Sequence, residues 1–552
     1  MINFRQRREW DYIIVGGGTA GCVLAARLSE QPATKVLLME AGPEYPAVLS
    51  VPLVGLRQTT AYSWKYFTVQ QPGAAYRRIA FPFGKVLGGS SSTNGMMFYR
   101  GTRAAYDRWE QLGNPGWCFS SVLPYFRKSE TWEQGASEYH GGDGPVHVAN
   151  PRHRARFSTA FVEACIEQGL PHLHDFNGPQ QEGAGFYPVM QYRGRRAGAA
   201  PAYLAPARRR SNLDVETGAL VSKLIMERFH VTGIEFQSSD GTAHRAFAAR
   251  EVILSAGSLN SPKILMLSGI GPADHLRSIG IEPRCNLPGV GENLLDHVRV
   301  PVIYESRRSS PGNMIHWIPA ALNYALLRQG VLASNCCESG AIVRSDASAA
   351  TPDLQFVSHF QTSLHPNAVD LQFSLAHCSA PGRVRAVSAD PSVPPAIDPN
   401  YFASDTDIQV AVRGVRLARQ IANSPALRRF PLGLEILPGS DIVTDQEIES
   451  YCRATADTSY HPVGTCKMGS NPMAVVDSEL RVHGLNGLRV VDASIMPDIP
   501  SGNTCAPVLM IAEKAADLIQ NQSATAQLKT RIEPLNNRYG AEHYKSAKTQ
   551  MG

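Results

Sequence analysis

The alternation of apolar and polar positions divides the chain into strands and helices before any motif is considered. Tyr12-Ile13-Ile14-Val15 is an unbroken apolar run with β-branched residues and predicts a buried strand. Val23, Leu24, Ala26 and Leu28 then repeat with helical spacing, and Lys35-Val36-Leu37-Leu38-Met39 predicts a second strand that ends in Glu40. Further buried strands are predicted at 212–215, 251–254 and 488–492. The run from Val508 to Ile519 predicts a helix, opened by Cys505-Ala506-Pro507, because proline suits a first helical turn. A different pattern begins near residue 301. The stretch from His316 to Leu332 is helical and partly amphipathic, whereas 352–360 and 369–374 alternate as half-buried strands do. Prolines at 391, 394, 395 and 399 mark turns after them.

The strand–helix–strand unit at the start encloses Gly16-Gly17-Gly18-Thr19-Ala20-Gly21, which fits G-x-G-x-x-G. Glycines there permit a tight turn and let backbone amides approach a pyrophosphate at a helix start. Glu40 stands where a carboxylate holds a ribose hydroxyl. The unit predicts dinucleotide binding and leaves FAD and NAD both open. A second Gly/Ser-rich segment, Gly84-Lys85-Val86-Leu87-Gly88-Gly89-Ser90-Ser91-Ser92-Thr93-Asn94-Gly95, favours FAD, because an embedded flavin is gripped along its length.

Near the C-terminus, His461 and Asn503 flank the 488–492 strand and precede the last helix. A base, a hydrogen-bond donor and a helix N-terminus would converge there. That combination suits removal of a proton while negative charge builds on a neighbouring group. Taken alone, His461 reads equally well as a buried structural histidine, and Asn503 as a helix N-cap.

Composition excludes several classes. The 552 residues are 43% apolar, enough for more than one core, with a net charge of +5 and both signs mixed. No long basic run favours nucleic acid. No apolar run reaches about 18 residues, so no membrane span is expected. Residues 1–10 lack the apolar core of a signal peptide, which gives a cytoplasmic expectation. The ten cysteines form no C-x-x-C pair, so no metal site is expected and free thiols are favoured over a Cys336–Cys337 bridge.

Taken together, the motifs resemble those of the glucose–methanol–choline (GMC) family of FAD-dependent oxidoreductases. The resemblance is carried by the opening glycine motif with Glu40-Ala41-Gly42, by 88–94, and by Gly113-Asn114-Pro115-Gly116-Trp117. It continues through Ser255-Ala256-Gly257-Ser258-Leu259-Asn260-Ser261-Pro262, Pro288-Gly289-Val290-Gly291-Glu292-Asn293-Leu294, Asp296-His297, His461-Pro462-Val463-Gly464-Thr465 and Ser501-Gly502-Asn503. It implies an α/β fold with a discontinuous Rossmann-like FAD-binding domain (8–155, 213–300 and 457–522). An α+β substrate-binding domain with a mostly antiparallel sheet would occupy 156–212 and 301–456, and 523–552 would be a polar tail.

The same resemblance implies FAD contacts from Gly16, Gly18, Thr19, Ala20, Gly21, Glu40, Ala41, Val86, Gly88, Ser91, Asn94, Gly95, Val221, Ala256, Gly257, Asp492, Ala493, Asn503 and Thr504. It makes His461 the base and Asn503 the partner in oxidation of a small-molecule alcohol to an aldehyde or ketone. Electrons would pass to a quinone, a dye or O2, with dehydrogenase favoured over oxidase and a monomer or homodimer expected. Thr93 stands where some members carry a histidine bonded to FAD, so a non-covalent cofactor is expected. The alternative within the family is a hydroxynitrile lyase-like enzyme that keeps FAD without redox turnover. Glu338 occupies a place where choline-acting relatives carry a carboxylate, but its neighbours are Cys336 and Cys337 rather than a cage of aromatics, and a structural ion pair is favoured. His297 reads as structural, and His359 and His377 as candidates for the pocket. The arginines at 193, 195, 196 and 208–210 read as structural or solvated.

Overall fold

The computed structural model describes residues 9–57, 59–306, 317–360 and 367–522. The 523–552 tail and His316 lie outside the described residues. The organising element is a 7-stranded sheet. Strands Leu213–Thr217, Val36–Glu40, Glu9–Val15, Ala243–Leu254 and Leu488–Val490 run parallel in that order. Val36–Glu40 is buried at every position, as expected of a parallel strand covered on both faces. Ala243–Leu254 serves two partners along its length. Its first half pairs antiparallel with His230–Gln237, and its last three residues pair with Leu488–Val490.

The helix Thr19–Leu28 packs against this sheet and against the segment Ala200–Leu204. It is therefore buried on nearly all sides, not only along the predicted stripe. The last helix spans 505–522 and starts at Cys505, before Pro507 rather than after it. It is tied to the first helix by Glu513, a fully buried carboxylate 2.7 Å from Arg27 Nη2. The Tyr203 hydroxyl also donates to it at 2.7 Å. A buried charge is tolerated only with such pairing and hydrogen bonding.

A 9-stranded sheet faces this assembly and is mostly antiparallel. Its centre is Ile303–Ser306, Ala368–Leu375, Leu354–His359, Ser339–Val343 and Gly183–Phe186. Helices Asp405–Ala422 and Arg156–Glu167 cover one face. The other borders the cavity between the two sheets. Val298–Val300 and Asp457–Thr458 form an antiparallel pair at its rim and carry the chain from one sheet to the other.

Two large apolar cores correspond to the two sheets. They interleave along the sequence. Leu53, Tyr66 and Phe81 pack into the second core, and Ala199, Tyr203 and Leu204 into the first. Among the described residues no helix is long and apolar enough to cross a membrane. All ten cysteines are unbridged.

Candidate active site

A cavity of about 1370 Å³ lies between the two sheets, with walls from both. Its volume exceeds the ~300–1,000 Å³ common for small-ligand sites, which leaves room for a dinucleotide and a substrate together. Gly16, Gly18, Thr19, Ala20, Glu40, Ala41, Ser91, Asn94, Gly95, Val221, Ala256, Gly257, Asp492, Ala493, Asn503 and Thr504 all line it.

Three predicted contact residues do not line that wall. A Cβ on Gly21 would lie 1.9 Å from the Gly16 carbonyl oxygen, so this glycine serves the close approach of helix to strand. Val86 is fully buried in the protein. Gly88 has a positive φ, and a Cβ there would strike Ser92 Oγ at 2.2 Å. Both support the turn that presents Gly89 and Ser90 to the cavity instead.

At the nucleotide end, the two Glu40 oxygens accept the Gly17 and Gly42 amides at 2.9 and 2.7 Å. Each oxygen keeps a lone pair for a ribose hydroxyl. Burial pushes the Glu40 carboxyl up to about 7, against the pull of those amides. Arg196 is buried, not solvated. It donates to Asn94 Oδ1 at 2.8 Å and to the Ser91 carbonyl at 3.2 Å, which fixes the second Gly/Ser segment. Asp492 accepts the Gly257 amide at 2.9 Å and the Ser261 hydroxyl at 2.6 Å. Ser255 lines the cavity, and its Oγ is buried with no hydrogen-bond partner in the protein. At Gly257 a Cβ would meet nothing within 4 Å. An orphaned hydroxyl, an open backbone surface and a carboxylate with spare lone pairs fit FAD.

The reacting end is a chain of hydrogen bonds with one direction. Gln355 Nε2 donates to Asn503 Oδ1 at 3.1 Å, and Asn503 Nδ2 lies 3.1 Å from His461 Nε2. His461 Nδ1 lies 3.0 Å from His297 Nδ1, and His297 Nε2 lies 3.2 Å from the Ala376 carbonyl oxygen. A carbonyl only accepts, so His297 carries its proton on Nε2 and offers a lone pair at Nδ1. His461 must then carry its proton on Nδ1. That leaves His461 Nε2 as a lone pair beside Asn503 and on the cavity wall.

Burial holds both rings neutral: His461 is pulled down to about 4, and His297 is held well below the usual histidine range. The His461 backbone is anchored by Asp296, whose Oδ1 accepts its amide at 2.7 Å while Oδ2 accepts the Thr458 hydroxyl at 2.6 Å. Thr504 opens the last helix through its carbonyl, which accepts the Val508 amide at 3.0 Å. Asn503 therefore precedes the cap position and spends its side chain on His461 and Gln355. The sequence reading of His297 as merely structural was incomplete. Asp296-His297 stood in plain view as a motif, but nothing in residue order showed that it meets His461.

The opposite wall is the sheet face bearing Gln355, Val357 and His359 beside Ser374, Gln372 and Asp370. Period-2 alternation puts these on one side. Arg299 enters from the rim strand. Cys336, Cys337 and His359 line the cavity, while His377 does not. Burial pushes the Cys337 thiol up, so it is no nucleophile. Glu338 is fully buried off the cavity wall, accepting from Ser334 Oγ at 2.6 Å, from the Ala155 amide at 2.6 Å and from His153 Nδ1 at 2.7 Å. All three of these partners lie within the protein. No group of three or more potential metal ligands occurs among the described residues.

A doubly anchored nucleotide fold, a cavity shared with a second sheet and a histidine–asparagine pair define an FAD-dependent oxidoreductase of CH–OH donors. Comparison with known proteins agrees. Family models described as GMC oxidoreductase match residues 10–299 and 379–512. The chain belongs to the GMC oxidoreductase family. It is 42% identical over 545 residues to a Homo sapiens protein named choline dehydrogenase, mitochondrial, covering 94% of this chain and 91% of that one. It is 39% identical over 555 residues to an oxygen-dependent choline dehydrogenase of Vibrio vulnificus (strain YJ016), covering 95% and 97%. Among solved structures, pyridoxine 4-oxidase from Mesorbium loti superposes with a TM-score of 0.85 at 32% identity, covering 93% of this chain and 99% of that one.

Proposed function

We propose that this enzyme oxidises its alcohol with His461 as the base that takes the hydroxyl proton at Nε2, and with Asn503 holding the same oxygen. When bound, FAD supplies the two-electron sink for the carbinol hydride. Gly16, Gly18, Glu40, Asn94, Gly257 and Asp492 are the residues that would hold it. The observation that supports this reading is the one-way hydrogen-bond chain from Gln355 to Ala376, in which the lone pair of His461 is on Nε2 and accepts from Asn503 Nδ2 until substrate arrives.

Each chain residue then has a physical task. A neutral imidazole with an open lone pair accepts a proton; a protonated one does not. His297 keeps that lone pair on Nε2 by accepting from Nδ1. Asn503 donates to oxygen as negative charge grows on it. The start of the 505–522 helix lies on the same wall and favours negative charge nearby. The carbinol would give its hydroxyl proton to His461 Nε2 while bound FAD would take the hydride, which would leave a carbonyl, and the electrons would pass to a quinone or another acceptor, or to O2.

Thr93, buried on the cavity wall, has no ring nitrogen to bond the flavin, so the cofactor is held without a covalent link. Acid precipitation should release the yellow colour to the supernatant. The reaction itself is tested by anaerobic addition of an alcohol panel to the FAD-loaded enzyme. Bleaching of the flavin band is expected, with recovery on admission of air or a quinone. A flavin that stays oxidised through carbonyl formation or release would point to lyase chemistry and overturn the proposal.

A further inference from the structure

The wall beyond the reacting groups carries a guanidinium. His297 directly precedes the strand Val298–Val300 that carries Arg299. The first meets His461, and the second lines the same cavity. Arg299 donates to Gln372 Oε1 at 3.3 Å and pairs with Asp457. Its Nε–H and its second Nη1–H have no partner among those bonds. Arg77 lines the cavity too, with its Nε buried and unpartnered. Asp457 thus answers two guanidinium groups. The other acid on this wall, Asp370, faces Arg299, and burial pushes its carboxyl up.

Two of the cavity aromatics that would receive a quaternary ammonium are already covered by cations. Arg299 covers a face of the Tyr460 ring at 5.4 Å, directly beside His461. Lys85 covers a face of Trp64, another cavity aromatic, at 4.2 Å. Glu338 is spent on His153, Ala155 and Ser334, away from the cavity. A fixed cation beside the reacting centre repels a trimethylammonium group and attracts an acid, because a desolvated guanidinium is a strong, forked donor to carboxylates.

We infer that Arg299, with Arg77 on the same cavity wall, is the specificity determinant for a carboxylate on the substrate, so that the alcohol oxidised is a hydroxy acid and not choline. This rests on the proposed oxidation of a carbinol at His461.

The test uses the FAD-loaded enzyme, anaerobic, with ω-hydroxy carboxylates of graded length, the 1-alkanols of the same lengths, and choline. A hydroxy acid is expected to bleach the flavin at lower concentration than the matching alkanol, and choline least well. In Arg299→Ala, KM for the hydroxy acid should rise roughly tenfold or more, and its preference over the alkanol should shrink. Retained yellow colour shows that the variant is folded. Succinate and glutarate, which carry no carbinol, should raise the melting temperature of the wild type but not of the variant. Choline or alkanols reducing the flavin better than every hydroxy acid overturns the inference while leaving the oxidation intact. Failure of all alcohols to reduce the flavin removes both. Should Arg299→Ala not fold, the wild-type panel and the diacid shifts decide alone.

Discussion

His461 Nδ1 and His297 Nδ1 lie 3.0 Å apart, two ring nitrogens facing each other with room for a single proton. Because His297 Nε2 faces the Ala376 carbonyl, that proton belongs to His461. The base is thereby set at Nε2, on the cavity side, before any substrate arrives.

Replacing His297 with phenylalanine removes the acceptor that holds this tautomer. The turnover number should fall roughly tenfold or more, with KM changed less, since the neutral ring can now carry its proton on either nitrogen. Steady-state kinetics on the flavin-loaded variant checks this. Unchanged turnover would mean that the tautomer is set elsewhere.

Asn503→Ala removes the donor to the substrate oxygen. A hydrogen bond that strengthens as charge develops contributes about 1.5–3 kcal/mol, so the flavin reduction rate should drop roughly 10–100-fold. Stopped-flow reduction measures it directly. The same variant leaves Gln355 Nε2 without its acceptor, so a modest loss of melting temperature should accompany the kinetic effect.

The pH profile follows from burial. His461 is pulled down to about 4, so it is already deprotonated and competent at neutral pH. For this base, kcat/KM should rise with pH through about 4 and be level above that, with no break attributable to it at the ordinary histidine value near 6.5. An acidic limb, with kcat/KM still rising through 6.5, that disappears in His461→Ala would contradict the account.

Glu338 tests the division between structure and catalysis. Its carboxylate satisfies three donors inside the protein. Glu338→Ala should cost roughly 2–3 kcal/mol of stability by leaving those donors unpaired, measured by denaturant unfolding. A variant of wild-type stability with altered substrate preference would place the carboxylate in the cavity instead.

Local patterning revealed the elements because their burial is itself local. Runs such as Tyr12–Val15 and Glu251–Leu254 are apolar since both faces of their sheet are covered, and the glycine motif announces the turn between strand and helix. Helix starts were less legible: Cys505 rather than Val508 opens the last helix, because its first turn is buried against the cavity and reads as loop composition. Contacts between distant segments left no local mark. Nothing near residue 297 or 355 indicates that either meets His461 or Asn503, and Gly21, Val86 and Gly88 sit in the right motif but support the wall from behind. Arg299 is illegible for the same reason, since an arginine in an apolar run takes its meaning only from what the sheet brings opposite it.

The most direct measurement is anaerobic stopped-flow mixing of a reducing alcohol with wild type and with His461→Ala, both loaded with FAD and both showing the oxidised flavin spectrum. The account predicts rapid bleaching in the wild type and a rate at least about a hundredfold lower in the variant. Equal rates would contradict it, and the proton would then have to leave by a route that does not involve this imidazole.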